Sequence, residues 1–283
     1  MLILPILSAI ALGGGTVFER FVLKKRKVDI KLYQVASFLG IVLALLPFVF
    51  FFWYLDQSAF QLKNISIFFA VVVFAVIANL LDFYSLKGEK IVNLESVRVL
   101  EPLFTIILAI LFSLFIEGVY QRNIHVILPA LIAALAFVFS HLKKDHLYFN
   151  KYFIAGIFGS FFFALELVMS MLILNFYSPF TFYFMRCIFV FSISLIFFSP
   201  NFGKLNGKVK WEIFATSAIW VVYRIALYYG YIKIGIISTT LVIMLGPVFV
   251  YLFAYLFLKE KVTWKNLVAA VVVIASVVYA TVG

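Results

Sequence analysis

Of 283 residues, 66% are hydrophobic, 12% are charged and 36 are phenylalanine. A water-soluble fold of this length has to cover itself with charge, so that composition excludes one, whereas a lipid bilayer hides the apolar surplus. The net charge of +11 would suit nucleic acid, but the cations are scattered over short connections without a basic domain or an aromatic–basic motif, which excludes that partner and leaves membrane lipid as theirs.

Apolar runs long enough to cross the hydrocarbon core recur along the whole chain. They predict helices over 2–23, 31–54, 64–86, 90–116, 123–141, 150–174, 178–199, 209–232, 235–258 and 264–282. No Lys or Arg precedes the first run, no small-residue cleavage site closes it, and Lys24-Lys25-Arg26-Lys27 follows it. That order predicts a retained first helix rather than a cleaved leader. The shortest breaks, Lys87-Gly88-Glu89-Lys90 and Lys233-Ile234-Gly235, each set a glycine beside lysine, enough for a tight turn between antiparallel helices. Cys187 is the only cysteine, which excludes an internal disulfide and a multi-cysteine metal site.

The 23 cations fall unevenly: sixteen lie in the connections after helices 1, 3, 5, 7 and 9, three in those after helices 2, 4, 6 and 8, and four arginines lie within spans. The positive-inside rule then makes the odd-numbered connections cytoplasmic and both termini extracytoplasmic, in a multi-pass protein of the cell membrane.

Sliding the chain on itself by 145 residues aligns 84–112 with 229–257, where nine of 29 positions are identical. Among them are Tyr84/Tyr229, Pro102/Pro247, Phe104/Phe249 and Phe112/Phe257. Chance in so biased a composition gives roughly two, so a duplicated unit is the better reading. Five helices per copy is an odd number, so the copies enter the membrane from opposite sides. The predicted fold is an all-α integral membrane protein, ten transmembrane helices as two inverted five-helix repeats, 1–142 and 149–283. That architecture is typical of secondary transporters with a midplane substrate site.

In each half a helix ends in a tyrosine, a tight turn follows, and the next helix carries a proline near its middle: Tyr84 with Pro102, and Tyr229 with Pro247. That helix then closes in an aliphatic and aromatic run and an acid, Glu117 or Glu260, and an Ala/Val-rich helix ends the half. Over essentially the whole chain this pattern resembles the drug/metabolite transporter superfamily, in its ten-helix EamA-type branch. The resemblance implies a transporter whose fifth and tenth helices join the halves, here through Ala130, Ala133 and Ala134 and through Ala269, Ala270 and Ser276. It also implies cytoplasmic termini, against the cation count; the superfamily includes inverted topologies, and the charge-derived orientation is kept.

Charges within a bilayer cost a few kcal/mol each even on lenient scales and need a partner or a wet cavity. At depth this chain carries Glu19, Arg20, Asp82, Glu95, Arg98, Glu101, Glu166, Arg186 and Arg224. Glu95, Arg98 and Glu101 follow i, i+3 spacing on one side of helix 4. Either they neutralise one another as a ladder, or Arg98 faces an anionic group of the substrate while one acid titrates. The matching positions of helix 9, Thr240, Ile243 and Gly246, are uncharged, which favours the second reading. Trp220, Arg224, Tyr228 and Tyr231 form a stripe on helix 8 that has to face the interior; Asn79 matches Arg224 in the first half. The candidate substrate-binding residues are therefore Arg98, Glu95, Glu101, Arg224, Trp220, Tyr228, Asn79 and Tyr84. Glu19, Glu166 and Asp82 are candidates for proton carriage; for Glu19 and Glu166 the plain alternative is ion pairing with Arg186 or Arg20, and for Glu19 also snorkelling to the interface. Glu19 and Glu166 follow glycine-bearing stretches, Gly13-Gly14-Gly15 and Gly156 to Gly159, which permit close helix approach. Pro102 and Pro247 are expected to kink helices 4 and 9, as fixed bends or as hinges.

His141, Asp145 and His146 cluster in the connection after helix 5, where solvated side chains are a simpler reading than a metal site. No Walker loop, nucleophile elbow, zinc-protease motif or paired-aspartate motif is present, so neither an enzyme nor a cofactor or metal is expected. The expected function is secondary transport of a small polar or amphipathic metabolite by alternating access, with proton coupling and simple exchange both open. A flippase for a lipid or lipid-linked carrier, and a non-transporting scaffold or sensor, are the alternatives.

Overall fold

The computed structural model describes residues 2–88, 100–116, 120, 123–141, 151–253, 255–256 and 264–282. In chain order the helices are α1 (Ile3–Arg20), α2 (Ile30–Phe52), α3 (Leu62–Gly88), α4 (Leu100–Phe115), α5 (Ile124–His141), α6 (Lys151–Met171), α7 (Pro179–Phe198), α8 (Gly207–Ile234), α9 (Ile236–Ile243), α10 (Gly246–Phe253) and α11 (Trp264–Val282). Among the described residues, seven segments are long and apolar enough to cross a membrane, α9 and α10 counting together as Ile236–Phe253. Shorter apolar helices run over Leu100–Phe115, Ile124–Ala136 and Leu267–Ala280. Among the described residues the only β feature is one antiparallel bridge, Leu55 to Tyr177.

Local chemistry sets the helix ends. Asp29 caps α2, its carboxylate accepting from the N–H of Lys31 at 2.9 Å. Asn206 caps α8 through the N–H of Val209 at 2.9 Å. Ser178 caps α7 ahead of Pro179, whose missing N–H is no loss at a first helical position. Gly235 sits at φ 81° between α8 and α9, a conformation that leaves little room for a Cβ, so the predicted lysine–glycine break is real and turns on glycine.

Two departures from the predicted spans have physical causes. Helix 1 does not stop cleanly but loosens into a π-turn over Phe21–Lys25 before the connection to α2. Helix 9 is broken rather than bent: α9 ends at Ile243, and α10 restarts at Gly246-Pro247 because Pro247 has no N–H to offer the carbonyl of Ile243. Thr240 keeps its helical bond, its carbonyl accepting from Met244 N–H at 3.1 Å. Pro102 lies in the first described turn of α4, and the stretch before it is outside the described residues.

The outer surface is what a bilayer requires. Phe50 is 90% exposed, and Phe51, Phe115, Ile196 and Phe197 are nearly as bare. Inside, α1 packs on α8, α9 and α10; α6 packs on α3 and α4; α2 lies against α7 and α8, and α5 against α11. The α5–α11 contact uses the small residues: Ala130, Ala133, Ala134, Ala269, Ala270 and Ser276 are all buried. Glycine permits close helix approach at both glycine-bearing stretches. A Cβ at Gly13 would meet Phe249 Cβ at 2.8 Å, and one at Gly159 would meet the backbone N of Asp82 at 3.3 Å.

The chain halves are stitched together at both ends of α2. Beyond its C-terminus, Asp56 N–H donates to Phe176 O at 2.8 Å and Ser178 N–H to Tyr54 O at 3.0 Å. Asp56 also accepts from Ser58 N–H at 2.7 Å, which holds its carboxyl below the usual carboxylate value. Before the N-terminus of α2, Arg26 forks onto Glu212 of α8, Nε to Oε2 at 2.9 Å and a terminal nitrogen to Oε1 at 2.6 Å. An apolar cluster of Leu23, Val28, Leu32, Leu205 and Val209 lies at the same end.

Candidate functional site

Between those two stitched ends α1–α4, α6–α8 and the α9–α10 break enclose a cavity of about 110 Å³. One water needs roughly 10–15 Å³ on the same measure, so the space holds several waters or a small organic group. The lining residues at depth are polar in an otherwise apolar protein: Thr16, Glu19, Ser37, Asn79, Asp82, Glu101, Arg186 and Arg224. The rings of Phe163, Tyr183, Trp220 and Tyr223 complete the walls.

One carboxylate organises the cationic wall. Glu166 of α6 is 0% exposed and sits between two guanidiniums. Arg186 Nε of α7 lies 2.9 Å from its Oε1, and a terminal nitrogen of Arg224 of α8 lies 3.3 Å from its Oε2. The Tyr228 hydroxyl, one helical turn beyond Arg224, donates to Oε1 at 3.4 Å. The Ser170 hydroxyl donates to the Glu166 carbonyl at 2.7 Å. Both arginines are buried, 1% and 6% exposed. Their flat faces rest on rings, Arg186 5.7 Å from Tyr183 and Arg224 5.5 Å from Tyr223 and 5.8 Å from Phe163. A planar guanidinium suits a ring contact of this kind better than a lysine ammonium does.

The pairing is incomplete. Arg186 Nε approaches Oε1 without the alignment of a hydrogen bond, and one further terminal nitrogen on each arginine is buried without a hydrogen-bond partner. Trp220 Nε1 is a third such donor. Buried donors of this kind are costly unless something accepts from them. Here all three belong to residues on the cavity wall.

The structure brings Glu19, Asp82, Asn79, Glu101, Pro102, Trp220, Arg224 and Pro247 together on that wall. Glu19 is 3% exposed and accepts from the Tyr33 hydroxyl at 3.3 Å, so it does not snorkel to the interface. Asn79 donates to the Ala75 carbonyl of its own helix at 2.7 Å. Tyr228 stands behind the wall, touching Glu166 rather than the cavity. Tyr84 is elsewhere, its ring 4.9 Å from that of Tyr152. Glu95, Arg98, Asp145 and His146 lie outside the described residues. Arg186 and Tyr183, not among the predicted binding residues, also line the cavity. The plain alternative for Glu166, an ion pair with Arg186, is the arrangement found. Tyr223, one position off the predicted stripe, also lines the cavity.

A solved crystal structure shares this fold over 99% of the present chain and 96% of its own, with a TM-score of 0.71 and 15% sequence identity. No curated protein matches by sequence. Residues 150–282 match the EamA-like transporter family. That family is one of transporters, not of enzymes. The matched region contains Glu166, Arg186, Trp220, Arg224 and the α9–α10 break, so this multi-pass membrane protein carries an EamA-like transporter family domain, of a kind that belongs to the drug/metabolite transporter superfamily.

Proposed function

We propose that the protein is a secondary transporter of a small metabolite bearing an anionic group, bound at Arg186 and Arg224, and that access alternates about the cavity between two inverted five-helix repeats, 1–142 and 149–283. The observation that carries the substrate reading is two buried guanidiniums sharing one carboxylate, with unpartnered donors on a cavity wall. Burying a surplus cation costs several kcal/mol, and a binding partner that offsets it is the simplest reason to retain one. The aromatic rings on the same wall suit the organic part of the ligand.

The packing supports the repeats. Exchanging the first five helices with the second five turns the α1–α8 contact into the α6–α3 contact, and the contact of α1 with α9 and α10 into that of α6 with α4. The α2–α7 and α5–α11 pairs map onto themselves. The same exchange relates the backbone stitch at residues 54–56 and 176–178 to the Arg26–Glu212 fork at the other end of α2. A pair of related closures on opposite faces is what alternating access needs, with one opening while the other holds. The cation distribution supports placing the Arg26–Glu212 end in the cytoplasm and both termini outside.

The test is a screen of the purified protein for metabolites that raise its melting temperature, followed by flux of the hit into liposomes. Arg224→Gln should remove both binding and flux of an anionic hit, by about a hundredfold or more, the equivalent of a lost buried charge contact. Unchanged flux through Arg224→Gln would refute the assignment.

A further inference from the structure

The charge count around Glu166 deepens the transporter reading just stated, and rests on it. Two guanidiniums and one carboxylate, all buried and within 3.3 Å of contact, leave one positive charge in surplus. The buried nitrogens without partners are distributed over both arginines, with Trp220 Nε1 beside them. From these we infer that the site selects organic monoanions over dianions.

A single carboxylate or sulfonate accepting from those donors completes a neutral arrangement of two cations and two anions. A second negative charge has no unmatched cation to meet. Glu19, Asp82 and Glu101 face the same cavity, and their negative potential weighs further against a second negative charge on the ligand. At low effective dielectric a charge mismatch of one unit is felt strongly, because Coulomb energies there are several times those in water. The rings of Phe163, Tyr183, Trp220 and Tyr223 offer flat apolar surface beside the anion site, so an aryl or similarly planar body fits the class.

The experiment uses the full-length protein in neutral detergent at pH 8 and constant ionic strength, with four probes that share a phenyl ring. Benzoate and benzenesulfonate are monoanions, phenylphosphate is a dianion at this pH since its second ionisation lies near 6, and benzyl alcohol is neutral. Sulfonate and phosphate both end in a tetrahedral set of three oxygens, phenylphosphate adding one ester oxygen, so their comparison turns chiefly on charge. The expected result is stabilisation by both monoanions, with apparent dissociation constants about tenfold or more below that of phenylphosphate, and no shift with benzyl alcohol. Glu166→Gln raises the surplus to two charges and should reverse the order in favour of phenylphosphate, while Glu166→Asp keeps the wild-type order. Should Glu166→Gln fail to fold, the wild-type comparison of sulfonate with phosphate decides alone. Equal or tighter binding of phenylphosphate by the wild type, or an unreversed preference in a folded Glu166→Gln, would overturn the charge selectivity and leave the anion site standing. No shift with any of the three anions would overturn both.

Discussion

Glu166 is the residue on which most of the interior depends. It compensates two guanidiniums that would otherwise be buried without a counter-charge, and it accepts from Tyr228. Removing one partner of a buried ion pair destabilises more than losing one neutral hydrogen bond, because the charge left behind cannot reach water. Glu166→Ala should therefore lower stability by about 3–5 kcal/mol. Tyr228→Phe, which deletes one long hydrogen bond, should lower it by about 0.5–1.5 kcal/mol. Chemical unfolding of the two variants in detergent checks that order, and a Tyr228→Phe loss as large as that of Glu166→Ala would contradict it. At this scale the sequence revealed which charges lie at depth and that the Trp220–Arg224 face has to look inward. It offered Arg186 or Arg20 as partners for Glu166 but not Arg224, because that contact depends on how three helices, 20 to 58 residues apart in the chain, register in space.

Helices are where the sequence is most legible. Hydropathy marks each span, since a segment long enough to cross lipid has few other ways to bury itself. The glycine break at Gly235 was visible for the same kind of local reason. The break between α9 and α10 was legible only as a kink at Pro247, and the π-turn at Phe21–Lys25 has no signal in the sequence. Glycine offers a sharp test of helix packing. Gly13 is pressed against Phe249, whereas a Cβ at Gly14 would meet nothing within 4 Å. Gly13→Ala should destabilise by about 1–3 kcal/mol through overpacking. Gly14→Ala should be neutral or stabilising by up to about 1 kcal/mol, since alanine is the better helix former. Melting temperatures of the two variants give the answer, and equal losses would mean that α1 does not approach α10 as described. The Arg26–Glu212 fork predicts a different signature. If it latches one face shut, Glu212→Gln should change the rate of transport and weaken its dependence on salt, while an equilibrium ligand affinity measured in detergent stays near wild type.

For the whole molecule, the proposed repeat rests on a 145-residue self-match in which the proline-bearing segments align. What each copy contributes to the site was not legible there. The guanidiniums on the wall come from α7 and α8 of the second half, and the wall carboxylates Glu19, Asp82 and Glu101 from the first. On the proposed repeat, the two copies divide the labour, which a self-alignment registers only as mismatches such as Asn79 against Arg224. Orientation can be read directly with single reporter cysteines at opposite ends of α2 and its neighbours, in a Cys187→Ser background. A reporter at Lys208 should react with an impermeant thiol reagent only after the cells are opened, and one at Gln57 should react in intact cells; the reverse pattern would place the termini in the cytoplasm.

The central claim is that an anion crosses the membrane by way of the arginines held at Glu166. Counterflow in liposomes reads it most directly: wild-type protein loaded inside with an unlabelled anionic metabolite identified by the stability screen should draw in the labelled form, and Arg224→Gln, folded and inserted equally well, should not. Labelled uptake by Arg224→Gln at the wild-type rate would contradict it.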